Sequence, residues 1–210
     1  MSTANSSLTA QARAALRWQW IPAAIVFVVY LAILFFLSLI PVLGWILSIL
    51  STGPLTVGFK KYFLRLLRKE RVELNQLFDG FSCFAPAFIA SILCAIFTLL
   101  WTLLLVIPGI IAAFSYSMTF FIIADNPQID GLQAIRRSKE MMRGHKLRLF
   151  CLGCRFIGWF FLGILTLGIG FFWIAPYWTT ALAAFYQDLL AEPARRAADE
   201  VRTTGPIVIP

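Results

Sequence analysis

Arg155 is the side chain in this sequence whose surroundings most clearly indicate a function. It lies about six residues into an apolar run that begins at Leu149, roughly 9 Å along a helix that rises 1.5 Å per residue. An ionisable group at that depth in a membrane helix usually faces the bundle interior and marks a functional site. Asp125 and Asp188, at the ends of two other apolar runs, are the available counter-charges. The sequence therefore predicts an intramembrane polar cluster of Arg155, Asp125 and Asp188 that joins two hairpins.

A second interpretation of the same residues is open. Arginine has a long side chain that can extend back to the lipid headgroups, more easily where the bilayer thins around short helices. In that case Arg155 meets phosphate rather than a carboxylate. Asp125 also precedes Asn126 and Pro127, which is an ordinary signal for the end of a helix.

Residues that would support catalysis or metal binding are few. Cys151 and Cys154 have the spacing of a redox or metal site, but the sequence contains no second pair of this kind. The only histidine, His145, lies in a basic loop, and neither a His-Glu-x-x-His nor a Gly-x-Ser-x-Gly motif is present. We therefore expect a protein that is not an enzyme and that uses no metal or cofactor.

Hydroxyl groups on two apolar runs permit either a polar path or ordinary packing. The residues concerned are Tyr116, Tyr177, Tyr186, Ser115, Ser117, Thr179 and Thr180. Hydroxyls in membrane helices more often bond to a neighbouring helix or to their own backbone, at about 0.6–2 kcal/mol each. Packing is therefore favoured.

The elements that must position these side chains are apolar runs between charged segments. With 60% hydrophobic residues and a mean hydropathy of +0.82, the 210-residue chain is too apolar for a soluble domain of this size. All eighteen Lys and Arg fall in residues 13–17, 60–71, 136–155 and 195–202. The turns at 41–44, 108–109 and 167–170 carry no charge. A bilayer accounts for this pattern.

A helix needs about 20 apolar residues to cross about 30 Å of hydrocarbon. Six helices are predicted, at 20–40, 44–63, 85–107, 110–124, 147–166 and 170–190. The predicted fold is all-α, a polytopic membrane helical bundle whose six transmembrane helices form three hairpins. Residues 20–190 make up the membrane domain, between a disordered N-terminus at 1–19 and a cytoplasmic tail at 191–210.

The basic residues predict the orientation of the chain. Lys and Arg are retained in the cytoplasm, so both termini and both long loops are expected there, at the inner membrane of a bacterium. Each loop, at 63–81 and 130–149, has one apolar and one basic face, as helices in the headgroup plane do. The first is equally well read as a continuation of the second helix. Asp130 is expected near the start of a separate helix in the second loop.

Anionic lipid is the partner that the net charge of +8 indicates, since the cations flank apolar runs rather than form a soluble nucleic-acid-binding face. A membrane protein partner or a second copy of the chain remains open. The residues predicted to contact headgroups are Lys60, Lys61, Arg65, Arg68, Arg136, Arg137, Lys139 and Arg143.

An ordered set of motifs resembles a known family. They include Leu-Trp-Thr-Leu-Leu-Leu-Val-Ile-Pro-Gly-Ile-Ile at 100–111, Ala-Asp-Asn-Pro at 124–127, and Ala-Ile-Arg-Arg-Ser-Lys-Glu-Met-Met-Arg-Gly-His-Lys at 134–146. Over about residues 40–190 the chain resembles the DUF975 proteins, an uncharacterised family of bacterial integral membrane proteins. The resemblance implies a six-helix membrane domain and no agreed activity.

Two functions from different classes fit these observations. The first is a non-catalytic inner-membrane protein that organises the membrane or partner proteins through its basic cytoplasmic loops. The alternative is a small transporter or lipid translocator, which the repeated hairpins, Pro176 and the deep Arg155 would suit. The sequence favours the first, because its apolar runs contain only one charge.

Overall fold

The computed structural model describes residues 5–17, 19–40, 43–166 and 168–204. Within these ranges every regular element is a helix. The α-helices are α1 (Asn5–Leu16), α2 (Trp20–Ser38), α3 (Leu43–Leu67), α4 (Phe84–Leu104), α5 (Val106–Tyr116), α6 (Thr119–Asp125), α7 (Gly131–Met141), α8 (Lys146–Leu165) and α9 (Phe171–Thr204). A 3-10 helix, Leu74–Cys83, precedes α4.

Four helical segments in the described part of the chain are long and apolar enough to cross a membrane. They are Trp20–Ser38, Leu74–Leu104, Val106–Asp125 and Lys146–Leu165. Large apolar side chains on these segments are exposed, among them Phe36, Leu103 and Leu165. Apolar surface of this extent is stable only against lipid or another apolar partner, so the chain is a membrane-embedded protein.

The helices α3 and α9 form the centre of the bundle. The helix α3 contacts α2, α4, α6, α9 and the 3-10 helix, while α9 contacts α1, α2, α3 and α8. Phe63 on α3 and Phe185 on α9 are fully buried. Because other helices cover their middle parts, where Pro54 and Pro176 are buried, α3 and α9 accommodate prolines and ion pairs that a lipid-facing helix would not. For this reason neither α3 nor α9 is among the four segments that are long and apolar enough to cross a membrane.

Helical structure extends into both segments that flank the predicted membrane domain. The N-terminal segment, predicted to be disordered, contains α1 (Asn5–Leu16), in which Leu8, Ala12 and Leu16 are buried against the bundle. Their i, i+4, i+8 spacing places them on one helical face, which packs against α9. The tail predicted from 191 onward continues α9 as far as Thr204. Residues 205–210 lie outside the described part of the chain.

The predicted fourth helix, 110–124, is two helices. Ser117 and Met118 separate α5 from α6, and the Ser117 hydroxyl donates to the Phe114 carbonyl at 2.8 Å. A single residue, the extended Leu105, separates α4 from α5. Of the other two predicted turns, positions 41, 42 and 167 lie outside the described residues.

Both predicted loops contain a helix, and α3 also continues into the first loop as far as Leu67. The apolar face of the 3-10 helix is only partly covered, because Leu74, Phe78 and Phe81 are exposed. The 3-10 helix lies on α3, where Leu77 and Gly80 are buried. The helix α7 begins as predicted at Asp130, whose carboxylate accepts a hydrogen bond from the Leu132 amide at 3.2 Å. Its buried Ser138 hydroxyl donates to the Ser115 carbonyl at 2.8 Å, which ties α7 to α5.

Candidate functional site

The predicted cluster of Arg155, Asp125 and Asp188 is not formed. Arg155 is exposed on α8, and each aspartate binds other arginines. The prediction was wrong because it measured the depth of Arg155 from the start of an apolar run. In the structure Arg148, one residue before that run, is the arginine that enters the bundle and meets Asp188.

Asp125 connects three helices. Arg68, just beyond α3, donates a hydrogen bond to one Asp125 oxygen at 2.7 Å. The Tyr186 hydroxyl of α9 donates to the other oxygen at 3.4 Å, and the Tyr186 ring stacks on Phe121. The hydrogen bond to Asp125 raises the pKa of the Arg68 guanidinium. The Asp125 carboxylate therefore joins α3, α6 and α9 at one end of the bundle.

Asp188 is the most deeply buried carboxylate of the described ion pairs, with 6% of its side chain exposed. One oxygen binds Arg148 of α8, and the other accepts from Arg195 at 2.5 Å. Nearby, the His145 imidazole lies 3.2 Å from the Glu192 carboxylate. The planar guanidinium groups satisfy both carboxylate oxygens, so this cluster holds α8 against α9.

The cations of α3 are also engaged within the protein. The Lys61 ammonium lies 3.0 Å from Asp79 of the 3-10 helix. Arg65 is 3.9 Å from the same carboxylate and 3.7 Å from Glu70. The Lys60 ammonium lies 4.9 Å from the centre of the Phe121 ring. With Arg68 on Asp125, these contacts account for half of the residues predicted to bind headgroups.

The other half forms one exposed face, which we call the α7 basic surface: Arg136, Arg137, Lys139 and Arg143. Within the described ranges these four side chains form no ion pair. Lys139 approaches a protein ring, with its ammonium 6.0 Å from the centre of Tyr116. The opposite face of α7 is packed on α4, α5 and α6, so the cations are held outward.

The serine and threonine hydroxyls of the predicted polar path bond within their own helices. Thr179 and Thr180 donate to the carbonyls of Ala175 and Pro176 at 2.9 and 2.8 Å, one turn back on α9. Ser115 does the same on α5, where its hydroxyl donates to the Ile111 carbonyl at 2.8 Å. Bonds of this kind satisfy hydroxyls inside their own helix and leave them with no role in lining a path.

No cluster of metal-ligand type occurs among the side chains that the structure describes. No group of three or more His, Cys, Asp or Glu residues lies close enough together to hold an ion there. Cys151 and Cys154 are both exposed on α8.

A cavity that the sequence analysis did not anticipate lies between α1, α2, α8 and α9. Its volume is about 410 Å³, and its walls are almost entirely apolar, with Trp20, Trp159 and Trp173 among them. Arg13 stands at one end, where its guanidinium donates to the Tyr177 hydroxyl at 3.4 Å. A signal was present in the sequence, because tryptophans beside an arginine often lie at a membrane interface. It was missed because residues 1–19 were predicted to be disordered.

Comparison with known proteins gives a family and no function. A family model described as "Protein of unknown function (DUF975)" matches residues 1–111 and 102–193. Searches of curated proteins and of solved structures found no match.

Proposed function

Because the chain belongs to the DUF975 family of proteins of unknown function, we propose its role from the surface that it presents. The protein is a non-catalytic membrane protein whose α7 basic surface binds anionic lipid headgroups and so organises the surrounding membrane or a partner protein there. The observation that carries the proposal is that three cations of α7, together with Arg143 just beyond its end, are exposed, while Lys61 and Arg68 at the end of α3 are paired with carboxylates of the protein.

The proposed placement is the inner membrane of a bacterium, with both termini cytoplasmic. Six helices enter the bilayer as three hairpins, and α3 and α9 expose apolar side chains such as Ile46 and Trp173 near their N-terminal ends. The distribution of Lys and Arg supports this orientation, because such residues are retained on the cytoplasmic side. Leu39 and Leu105, which follow α2 and α4, are exposed and uncharged, as befits the opposite side.

The energetics favour a lipid surface as the partner of α7. A Lys or Arg near an anionic membrane contributes about 1 kcal/mol of attraction, provided that it lies within about 8–10 Å of the headgroups. Within residues 130–143 the acidic residues are Asp130 and Glu140, against four Lys and Arg, so this segment keeps a positive balance. Packing of Ala134 and Ile135 against the bundle prevents α7 from turning these cations inward.

Replacing Arg136, Arg137, Lys139 and Arg143 together by glutamine tests this proposal. We expect the preference of the reconstituted protein for phosphatidylglycerol over phosphatidylcholine to fall at least about tenfold, since four attractions of about 1 kcal/mol are removed. Spin-labelled lipids in reconstituted vesicles measure this preference directly. The matched control is Glu140→Gln, which removes an acidic group from the same helix and should leave the preference unchanged or raise it. An unchanged preference in the fourfold variant would contradict the proposal.

A further inference from the structure

The cavity between α1, α2, α8 and α9 begins at the level where the apolar helix α2 begins. The rings of Trp20 and Tyr177 are 6.2 Å apart, and those of Phe27 and Phe172 are 6.3 Å apart, so α9 runs antiparallel to α2. Gly170 at the other end of the cavity therefore lies near the level of Phe27 or beyond. Seven residues of helix correspond to about 10 Å, so the cavity extends from the interface into the hydrocarbon.

The mouth of the cavity is cationic. Among the described residues that line it, Arg13 is the one that carries a charge, and its side chain is exposed. Its guanidinium lies 5.9 Å from the centre of the Tyr177 ring, and the Tyr177 hydroxyl donates to the Thr9 carbonyl at 3.4 Å. These contacts fix the position of the charge beside the opening.

Arg155 supplies a second cation at the same level. Trp159, Leu162 and Thr166 line the cavity from the side of α8. Arg155 lies four residues before Trp159, and the intervals from Trp159 to Leu162 and from Leu162 to Thr166 are three and four residues. Residues at this spacing share one helical face, which places Arg155 one turn toward the mouth. The ring of the next residue, Phe156, is 4.9 Å from that of Tyr177, over which Arg13 also lies, so this turn of α8 is at the level of Arg13. Arg155 is exposed and forms no ion pair within the described ranges.

The interior is suited to hydrocarbon. Leu162, Trp173 and Ile174 form walls without charge, and tryptophan rings commonly lie where acyl chains meet headgroups. A molecule that fits both ends has a negative, phosphate-like head and a hydrocarbon tail, since two guanidinium groups bind phosphate by charge-assisted hydrogen bonds.

We propose that this cavity binds one anionic phospholipid, with its phosphate between Arg13 and Arg155 and one acyl chain along Trp159 and Leu162. The site deepens the proposed function and rests on its premise that the protein recognises anionic lipid. It is separate from the α7 basic surface, because it lies among α1, α2, α8 and α9 and holds part of the lipid inside the bundle.

Native mass spectrometry of the detergent-purified protein tests the site by titration with dioleoyl phosphatidylglycerol and dioleoyl phosphatidylcholine. We expect the wild-type protein to retain one phosphatidylglycerol with at least tenfold preference over phosphatidylcholine. Arg13→Gln with Arg155→Gln should weaken retention at least tenfold. Arg155→Gln alone should weaken phosphatidylglycerol retention severalfold. Arg155 lies on α8 and forms no ion pair with the described residues, so this variant should leave the packing of α1 unchanged.

A second variant tests the acyl end without changing charge. Leu162 is 49% exposed, so Leu162→Trp fills the cavity at little cost to packing and should reduce phosphatidylglycerol retention at least tenfold. Equal retention by wild type, Arg155→Gln and Leu162→Trp would overturn the site, as would equal retention of both lipids by the wild type.

The α7 fourfold variant separates the two proposals in the same titration. If it retains the lipid while the Arg155 and Leu162 variants lose it, the cavity is supported whatever the outcome for the α7 basic surface. If it alone loses the lipid, the cavity proposal fails and the proposed function stands.

Discussion

Replacing Asp188 by alanine is expected to lower the free energy of unfolding by about 3–5 kcal/mol, because it removes the buried carboxylate that binds the Arg148 guanidinium. Asp188 has 6% of its side chain exposed, and Arg148 has 14%. Arg195 loses its carboxylate partner in the same change. Removal of one member of a buried pair costs far more than the pair itself contributes, since the desolvated arginine gains no water in exchange.

Glu140→Ala is the matched control for Asp188→Ala. Glu140 is exposed on α7, and within the described ranges it forms no ion pair, so its removal should change stability by less than about 0.5 kcal/mol. Reversible unfolding in mixed micelles with increasing dodecyl sulfate, followed by circular dichroism, measures both variants. Equal stability of Asp188→Ala and Glu140→Ala would show that the cluster at the α8–α9 contact does not hold these helices together.

Substitution of Gly80 by alanine is expected to destabilise the protein by about 3 kcal/mol, at the upper end of the usual cost of overpacking. A Cβ atom at Gly80 would lie 1.9 Å from the Pro54 carbonyl oxygen and 2.7 Å from the Gly58 amide nitrogen. A Cβ at Gly58 would in turn lie 1.9 Å from the Leu77 carbonyl oxygen. Both obstacles are backbone atoms, so the 3-10 helix would have to move away from α3.

Gly158→Ala provides the control for Gly80→Ala. A Cβ at Gly158 meets nothing within 4 Å, and the residue is exposed within α8. Alanine should therefore be neutral or should stabilise the helix by up to about 1 kcal/mol. The same unfolding measurement ranks the two variants, and a Gly80→Ala protein as stable as Gly158→Ala would refute the close contact.

Apolar runs in the sequence predict helices well because lipid-facing side chains must be apolar over a fixed length. The predicted helix at 147–166 corresponds to Lys146–Leu165, and that at 85–107 to Phe84–Leu104. The helix α1 was missed because it is covered by α9 and needs only the short apolar stripe of Leu8, Ala12 and Leu16. A stripe this short is hard to recognise in the sequence, because polar residues surround it.

The charged contacts could not be predicted, because sequence distance does not reveal which ends of the helices meet. Arg68 and Asp125 are 57 positions apart, and Arg148 and Asp188 are 40 apart. Glycine has the same limitation. The close contact lies at Gly58 and Gly80, and the sequence does not distinguish these glycines from Gly158, where a Cβ atom would meet nothing within 4 Å. The family, in contrast, was predicted correctly, because its motifs and their order can be recognised without knowing which residues are in contact.

We propose that the charged segments lie on one side of the membrane and the ends of α2 and α4 on the other. Labelling of intact cells with a membrane-impermeant maleimide tests it, using single cysteines in a background with the four native cysteines replaced by alanine. We expect Leu39→Cys and Leu105→Cys to be labelled, and Glu73→Cys and Arg143→Cys to react only after the cells are lysed. Labelling of Glu73→Cys or Arg143→Cys in intact cells, or protection of both Leu39→Cys and Leu105→Cys, would contradict this topology.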